Sequence, residues 1–188
     1  MPVISITLLP GYSAEAEERL VGRVALAARS AIAASAAGTI VFVNHAQTYQ
    51  RDGRVLPKGG PECANASDMV RHFLALMQAR DLSAASALLA PDFVMHFPGH
   101  PAMHALDELV NWTKGRYSSI AKDYERFDES WADGFTVVYC SGTLRGVWLD
   151  GSSFEGVRFI DRFEIADGKI RRQDVWNDLA ETLAHRPA

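Results

Sequence analysis

Pro2 and Asp161 are the positions in this 188-residue chain whose residue types and surroundings are suited to moving a proton. Once Met1 is removed, Pro2 presents a secondary amine as its α-amino group. An ordinary α-amine titrates at about 7.7 to 8.0, and an apolar pocket lowers that value by disfavouring the charged form. Such an amine can take a proton from a carbon beside a carbonyl, or attack the carbonyl itself. Asp161 draws notice for a different reason. In the segment GVRFIDRFEI, Val157, Phe159, Asp161, Phe163 and Ile165 share one strand face, and Arg158, Ile160, Arg162 and Glu164 share the other. A carboxylate on the apolar face must be paired, hydrogen-bonded or held protonated. Acids so placed are found both as catalytic groups and as structural ones.

The remaining reactive side chains are weaker candidates. Cys63 and Cys140 are far apart and lack CxxC spacing, so they imply neither a disulfide framework nor a zinc site. His96, His100 and His104 recur every four residues, but Pro98, Gly99 and Pro101 break any helix through them. By alternation His96 faces opposite to Met95 and Phe97. Asp174 and Trp176 share a parity on the last strand and are further pocket candidates. Trp112, Trp131, Tyr139, Trp148 and Trp176 are expected mostly in the core, some of them lining an apolar cavity suited to an aromatic ligand.

Composition narrows the partners. The chain is 48% hydrophobic and 22% charged, which suits a packed globular protein. Its net charge of −4, with Lys and Arg scattered singly, offers no basic stripe for nucleic acid. No apolar run is long enough to span a bilayer and no leader pattern opens the chain, so a cytoplasmic location away from membranes is expected. No metal, nucleotide or flavin motif is present, and the expected chemistry needs no cofactor.

The elements that must hold these residues follow from periodicity. VISITL (residues 3–8) alternates as a strand and ends at Pro10-Gly11. Ser13 reads as the N-cap of a helix from about Ala14 to Ala36, and Thr39 to Val43 reads as a second strand. Together these make a βαβ unit with parallel strands and a right-handed crossover. Asp52-Gly53 predicts a tight turn. The Gly- and Pro-rich stretch from Lys58 to Ser67 places a domain boundary there, giving domains at 1–62 and 63–188. Beyond it, helices are predicted from an N-cap at Ser67, over Leu82 to Leu89 and over Ala105 to Ser118, with a strand at Phe93 to Phe97 between the last two. Long strands then cover 124–131, 135–149, 154–165 and 170–176. The fold class is α+β, with helices on one face of a curved antiparallel sheet in the second domain.

The opening MPVISITLLPGYSAEAEERL, with Gly59-Gly60 after the second strand, resembles the 4-oxalocrotonate tautomerase family. That resemblance implies Pro2 as the catalytic base and pairing of βαβ units across subunits, hence a homo-oligomer. Tyr12 stands where the family commonly has a carboxylate-binding arginine, and the second family arginine falls near Ile40. Arg51 and Arg54, in the turn before Gly59, are the replacement candidates. The segment could equally keep the tautomerase fold only as an oligomerisation module.

From about Asp68 to Leu183 the chain resembles the SnoaL-like and ketosteroid-isomerase-like superfamily, through FLALMQARDL, DFVMHFPG and FIDRFEIADGKI. The resemblance implies an NTF2-like cone with helices packed on a curved antiparallel sheet. It gives Asp161 the place of the aspartate that steroid isomerases hold protonated, and that SnoaL-type cyclases use as general acid/base. The isomerase donor tyrosine falls on Phe73 and its base aspartate on Phe97, which argues against a ketosteroid isomerase and leaves a one-aspartate SnoaL-like site. His96-Phe97-Pro98-Gly99 is similar to a stretch common in that family, which makes His96 a substrate-binding candidate. The expected function is a cofactor-independent isomerase or polyketide cyclase acting by enolisation on a small carbonyl compound. Asp161 would be the acid/base, Pro2 a second base in its own pocket, and Phe73, Phe97, Trp112, His96, Asp174 and Trp176 the substrate-binding residues. The alternative is a small-molecule binding protein.

Overall fold

The computed structural model describes residues 1–47, 49–56, 62–132 and 134–185, without the side chains of Arg51 and Leu56. These divide into two compact units, Met1–Cys63 and Ala64–Ala188.

The first unit pairs β1 (Val3–Leu8) with β2 (Ile40–His45) in parallel, Val3 opposite Ile40 and Leu8 opposite His45. Between them runs α1 (Ala14–Ala31). Ser13 caps it by accepting from the Ala16 amide at 3.1 Å, and Glu15 and Glu17 favour its positive end. The helix stops at Ala31, five residues before the expected Ala36. A 3₁₀ turn at Ala36–Gly38 then leads into β2. β3 (Tyr49–Arg51) and β4 (Arg54–Leu56) form a hairpin around Asp52 and Gly53, which both take positive φ, 52° and 74°. Gly59 and Gly60 lie outside the described residues. α1 contains no buried residue, and Val3 and Phe42 are exposed.

The second unit opens with α2 (Ala66–Ala79), α3 (Leu82–Ser86), β5 (Leu89–His96) and α4 (Leu106–Thr113). Asn65, rather than Ser67, occupies the N-cap of α2. Ser67 is the second residue of the helix, where its amide and hydroxyl donate to the Glu129 carboxylate at 2.9 and 2.7 Å. β6 (Tyr117–Ala132), β7 (Phe135–Trp148), β8 (Ser153–Ala166) and β9 (Lys169–Asn177) follow, and α5 (Leu179–Ala184) ends the unit. The sheet order is β5-β9-β8-β7-β6, antiparallel except for the β5–β9 pair. α4 is shorter and β6 longer than periodicity implied, because strand geometry begins at Tyr117, in the stretch assigned to the helix.

Curvature comes from close approach at β7. A Cβ on Gly142 would lie 2.0 Å from the Asp123 carbonyl oxygen, beside the register shift between Tyr124 and Arg126. Inward residues of the bent sheet, including Val138, Cys140, Phe159 and Phe163, pack against Val70, Phe73 and Leu74 of α2. The Phe73 and Phe163 rings meet edge to face with centroids 6.0 Å apart. Burying each such side chain contributes about 1.5 to 3 kcal/mol.

Candidate functional site

The interior of the second unit is not filled to its open end. A cavity of about 160 Å³ remains between the helices and the concave sheet. Its aromatic wall comes from Phe73 on α2, Phe97 just after β5, Trp112 on α4 and Tyr117, Tyr124 and Phe159 on the sheet. Phe97 meets Trp112 edge to face at 5.7 Å, and Tyr124 meets Phe159 the same way at 5.8 Å.

The floor of the cavity is charged. Asp161 lies on the central strand β8, between Cys140 of β7 and Val175 of β9, and is 0% exposed. Strand parity gives it this position, as its neighbours on the same face, Phe159 and Phe163, are buried with it. Its Oδ2 forms an ion pair with Lys122 Nζ of β6 and accepts from Gln173 Nε2 at 3.3 Å. Its Oδ1 is buried with no hydrogen-bond partner, an arrangement that costs free energy unless something else is served. Lys122 and Gln173 line the cavity, and Asp161 stands directly behind them. The Lys122 ammonium also sits 4.4 Å from the centre of the Phe159 ring, a favourable cation–π position.

This arrangement holds nearby groups neutral. Burial, then the Asp161 charge, pushes the Tyr124 phenol far up. Burial, again followed by the Asp161 charge, pushes the Cys140 thiol up to about 12. Tyr124 is therefore a protonated donor on the cavity wall, and Cys140 is an inert interior thiol.

Phe73, Phe97 and Trp112 line the cavity. His96, Asp174 and Trp176 do not. They belong to the opposite face of the sheet, where Asp174 pairs in register with His96 and Arg162, and Trp176 with Ile160. His96 Nδ1 lies 2.9 Å from Asp174 Oδ1, and Asp174 also accepts from Arg172 and Arg162 at 2.8 and 3.2 Å. Burial pushes the Asp174 carboxyl up, but hydrogen bonds and charge from Arg172 and His96 outweigh it and hold it low. Trp131, Tyr139 and Trp176 are exposed, so these three rings expected in the core stand outside it. The physical reason is period two: Gln173 and Val175 take the inward positions of β9, leaving Asp174 and Trp176 outward.

In the first unit, Pro2 is half-buried at the start of β1, its carbonyl accepting from the Ile40 amide at 3.0 Å. A recess there is lined by Leu8, Tyr12, Arg19, Arg23, Glu62 and Cys63 among others, at the far end of β1 from Pro2. Arg54 is on β4 and exposed, and the side chain of Arg51 lies outside the described residues. No group of three or more His, Cys, Asp or Glu among the described residues is arranged to hold a metal ion. No helix among them is long and apolar enough to cross a membrane.

Sequence reasoning missed Lys122, Tyr124 and Gln173. A signal was present in YSSIAKDY, where Lys122 shares parity with Ile120 and Tyr124 as Asp161 does with Phe159 and Phe163.

A family model described as a SnoaL-like domain matches residues 70–173. Among solved structures, an NTF2-like protein of unknown function from Burkholderia pseudomallei aligns with TM-score 0.55 and 23% identity, over 67% of this chain and 100% of its own. TerC, crystallised with polyporic acid, aligns with TM-score 0.52 and 15% identity over 63% of this chain and 95% of its own. A proposed polyketide cyclase from Xanthomonas campestris aligns with TM-score 0.51 and 18% identity, over 63% and 94%. At these identities the likeness is one of fold. No curated protein matches the chain.

Proposed function

Because this chain belongs to the SnoaL-like domain family through residues 70–173, we propose that its second unit is a cofactor-independent cyclase or isomerase that enolises a small carbonyl compound. The observation that carries the reading is the Lys122–Asp161 pair on the floor of an aromatic cavity. Lys122 is the group of the pair that meets the ligand, and Asp161 is its proton partner.

A carbonyl oxygen directed at the floor accepts from the Tyr124 phenol, which is held protonated. When Lys122 passes one proton to the Asp161 carboxylate, it becomes a neutral amine facing the cavity. That amine takes the proton from the carbon beside the carbonyl. The C–H electron pair becomes the new C=C bond, and the carbonyl π pair moves to oxygen. Lys122 then hands its proton to that oxygen, completing the enol, and Asp161 returns its own proton to Lys122. Ring closure follows if the enol carbon attacks a second carbonyl of the same molecule. A ligand seated against Phe73, Phe97 and Trp112 displaces water from the pair, so the charges then act in a medium of low polarity.

The test is hydrogen–deuterium exchange at the methyl group of acetophenone in D2O, followed by NMR. Wild type should accelerate it, and Lys122→Met and Asp161→Asn should each lower the rate by about 100-fold or more, the usual weight of a positioned acid/base. Equal rates in wild type and Lys122→Met would remove the reading. Binding of acetophenone without any exchange would favour a binding protein instead.

Pro2 forms a separable part of the proposal, as a second base in the first unit. It requires loss of Met1, which intact mass measures directly. If Met1 is retained, Pro2 has no free amine and this part fails.

A further inference from the structure

The walls of the cavity carry an unbalanced charge. Its lining holds three cations, Arg80, Arg116 and Lys122, and no Asp or Glu. Lys122 is neutralised from behind by Asp161. Arg80 and Arg116 have no carboxylate within ion-pair distance among the described residues. An unpaired positive pair is notable in a chain whose net charge is −4.

Both arginines stand where one element gives way to the next. Arg80 ends α2 in a left-handed conformation, φ 61°, its amide bonded to the Met77 carbonyl at 3.2 Å. Arg116 turns the chain from α4 into β6, its amide bonded to the Thr113 carbonyl at 3.0 Å, and its guanidinium lies 4.4 Å from the centre of the Trp112 ring. Both charges are felt by the Tyr117 phenol. Burial raises the Tyr117 phenol, while a hydrogen bond with Thr113 and the charges of Arg116 and Arg80 pull it back. Two guanidinium groups and a phenol thus border an aromatic chamber, a donor set matched to the two oxygens of a carboxylate. Size sets the rest of the ligand: a cavity of about 150 Å³ accepts benzene, and this one measures about 160 Å³.

We infer that the cavity takes a monocyclic aromatic acid, its ring against Phe73, Phe97 and Trp112 and its carboxylate on Arg80, Arg116 and Tyr117. The inference rests on the reading that this cavity is the working site, and it names the substrate class for it. A substrate of this class carries a carboxylate at the arginine end and presents its reacting carbonyl to Lys122.

Calorimetric titration with benzoate and with its neutral isostere benzamide tests this. Benzoate should bind about tenfold or more tighter, with a preference that shrinks as salt rises. The double variant Arg80→Gln/Arg116→Gln should abolish the preference, benzoate affinity falling by about tenfold toward that of benzamide. Arg116→Lys, which keeps the charge and loses the fork, should retain part of the preference, and a circular dichroism spectrum and melting temperature like those of wild type show that each variant is folded. If benzamide binds as tightly as benzoate, the cavity stands as a site and the acid inference falls. If the double variant still prefers benzoate, the carboxylate is held elsewhere and the inference falls. If neither probe binds wild type, both the inference and the reading beneath it fall.

Discussion

The two units of this chain use the same materials and reach opposite results. Each has strands with one apolar face and a helix to set against it. In the first unit, two parallel strands and one helix leave Gly38 as the only buried residue among those described. In the second, five strands curve around α2 until Phe73, Val138, Phe163 and Asp161 lose almost all contact with water. Strand number and curvature decide the outcome, since a small layered unit has too much surface for its volume. Among the described residues, the second unit therefore holds the interior in which a buried charge pair changes the chemistry of its neighbours.

The most severe way to break this comparison is to open the dry interior at its charge. Lys122→Met leaves Asp161 buried without its cation and should cost about 3 to 5 kcal/mol. Urea unfolding followed by strand circular dichroism measures it. A loss below about 1 kcal/mol would mean that water already reaches the pair, and the contrast between the units would shrink.

A smaller effect is expected from acid. Asp174 is held low in the folded state, so its contribution is complete above the ordinary carboxylate range and is lost as pH falls through its depressed value. Arg172→Gln should lower the midpoint of unfolding at pH 7 and matter progressively less toward pH 3. A midpoint difference that grows on acidification would reverse the sign and reject the assignment.

The smallest effect is predicted where no interior exists. Phe42→Ser, on the exposed face of β2, should change the unfolding midpoint of the second unit within error, about 0.5 kcal/mol or less. Amide exchange on the same protein should be fast through β1 and α1 and slow through β7 and β8. Slow exchange in β1 would show that some other surface covers the first unit in solution.

These contrasts also explain what could be read from the sequence. Period two placed Asp161 inside and, applied to β9, would have placed Asp174 and Trp176 outside. Their polarity and aromatic character suggested a pocket where the pleat sent them to the other face. The helical pattern through Trp112 was carried too far, which hid the start of β6 and with it Lys122. Arg80 and Arg116 were not legible at all. Arg80 caps α2 and Arg116 precedes β6, 36 positions apart, and both border one cavity only because α2 and α4 close over the same sheet. The βαβ order of the first unit was visible in its strand, helix and strand spacing, and β1 and β2 are parallel. How little that unit buries was not visible, because periodicity reports which face is apolar and not what covers it.

The partnership of Lys122 with Asp161 also bears on how such a chain can change over generations. Losing the lysine strands a buried anion, and losing the aspartate leaves a cation facing an oily wall. A lineage can shed the pair only through an intermediate that folds poorly, or by two substitutions at once. The half-buried part of the wall, at Phe97, Trp112 and Arg116, faces a smaller obstacle and can be recut for a new guest one residue at a time. A charged floor beneath drifting walls is the expected legacy.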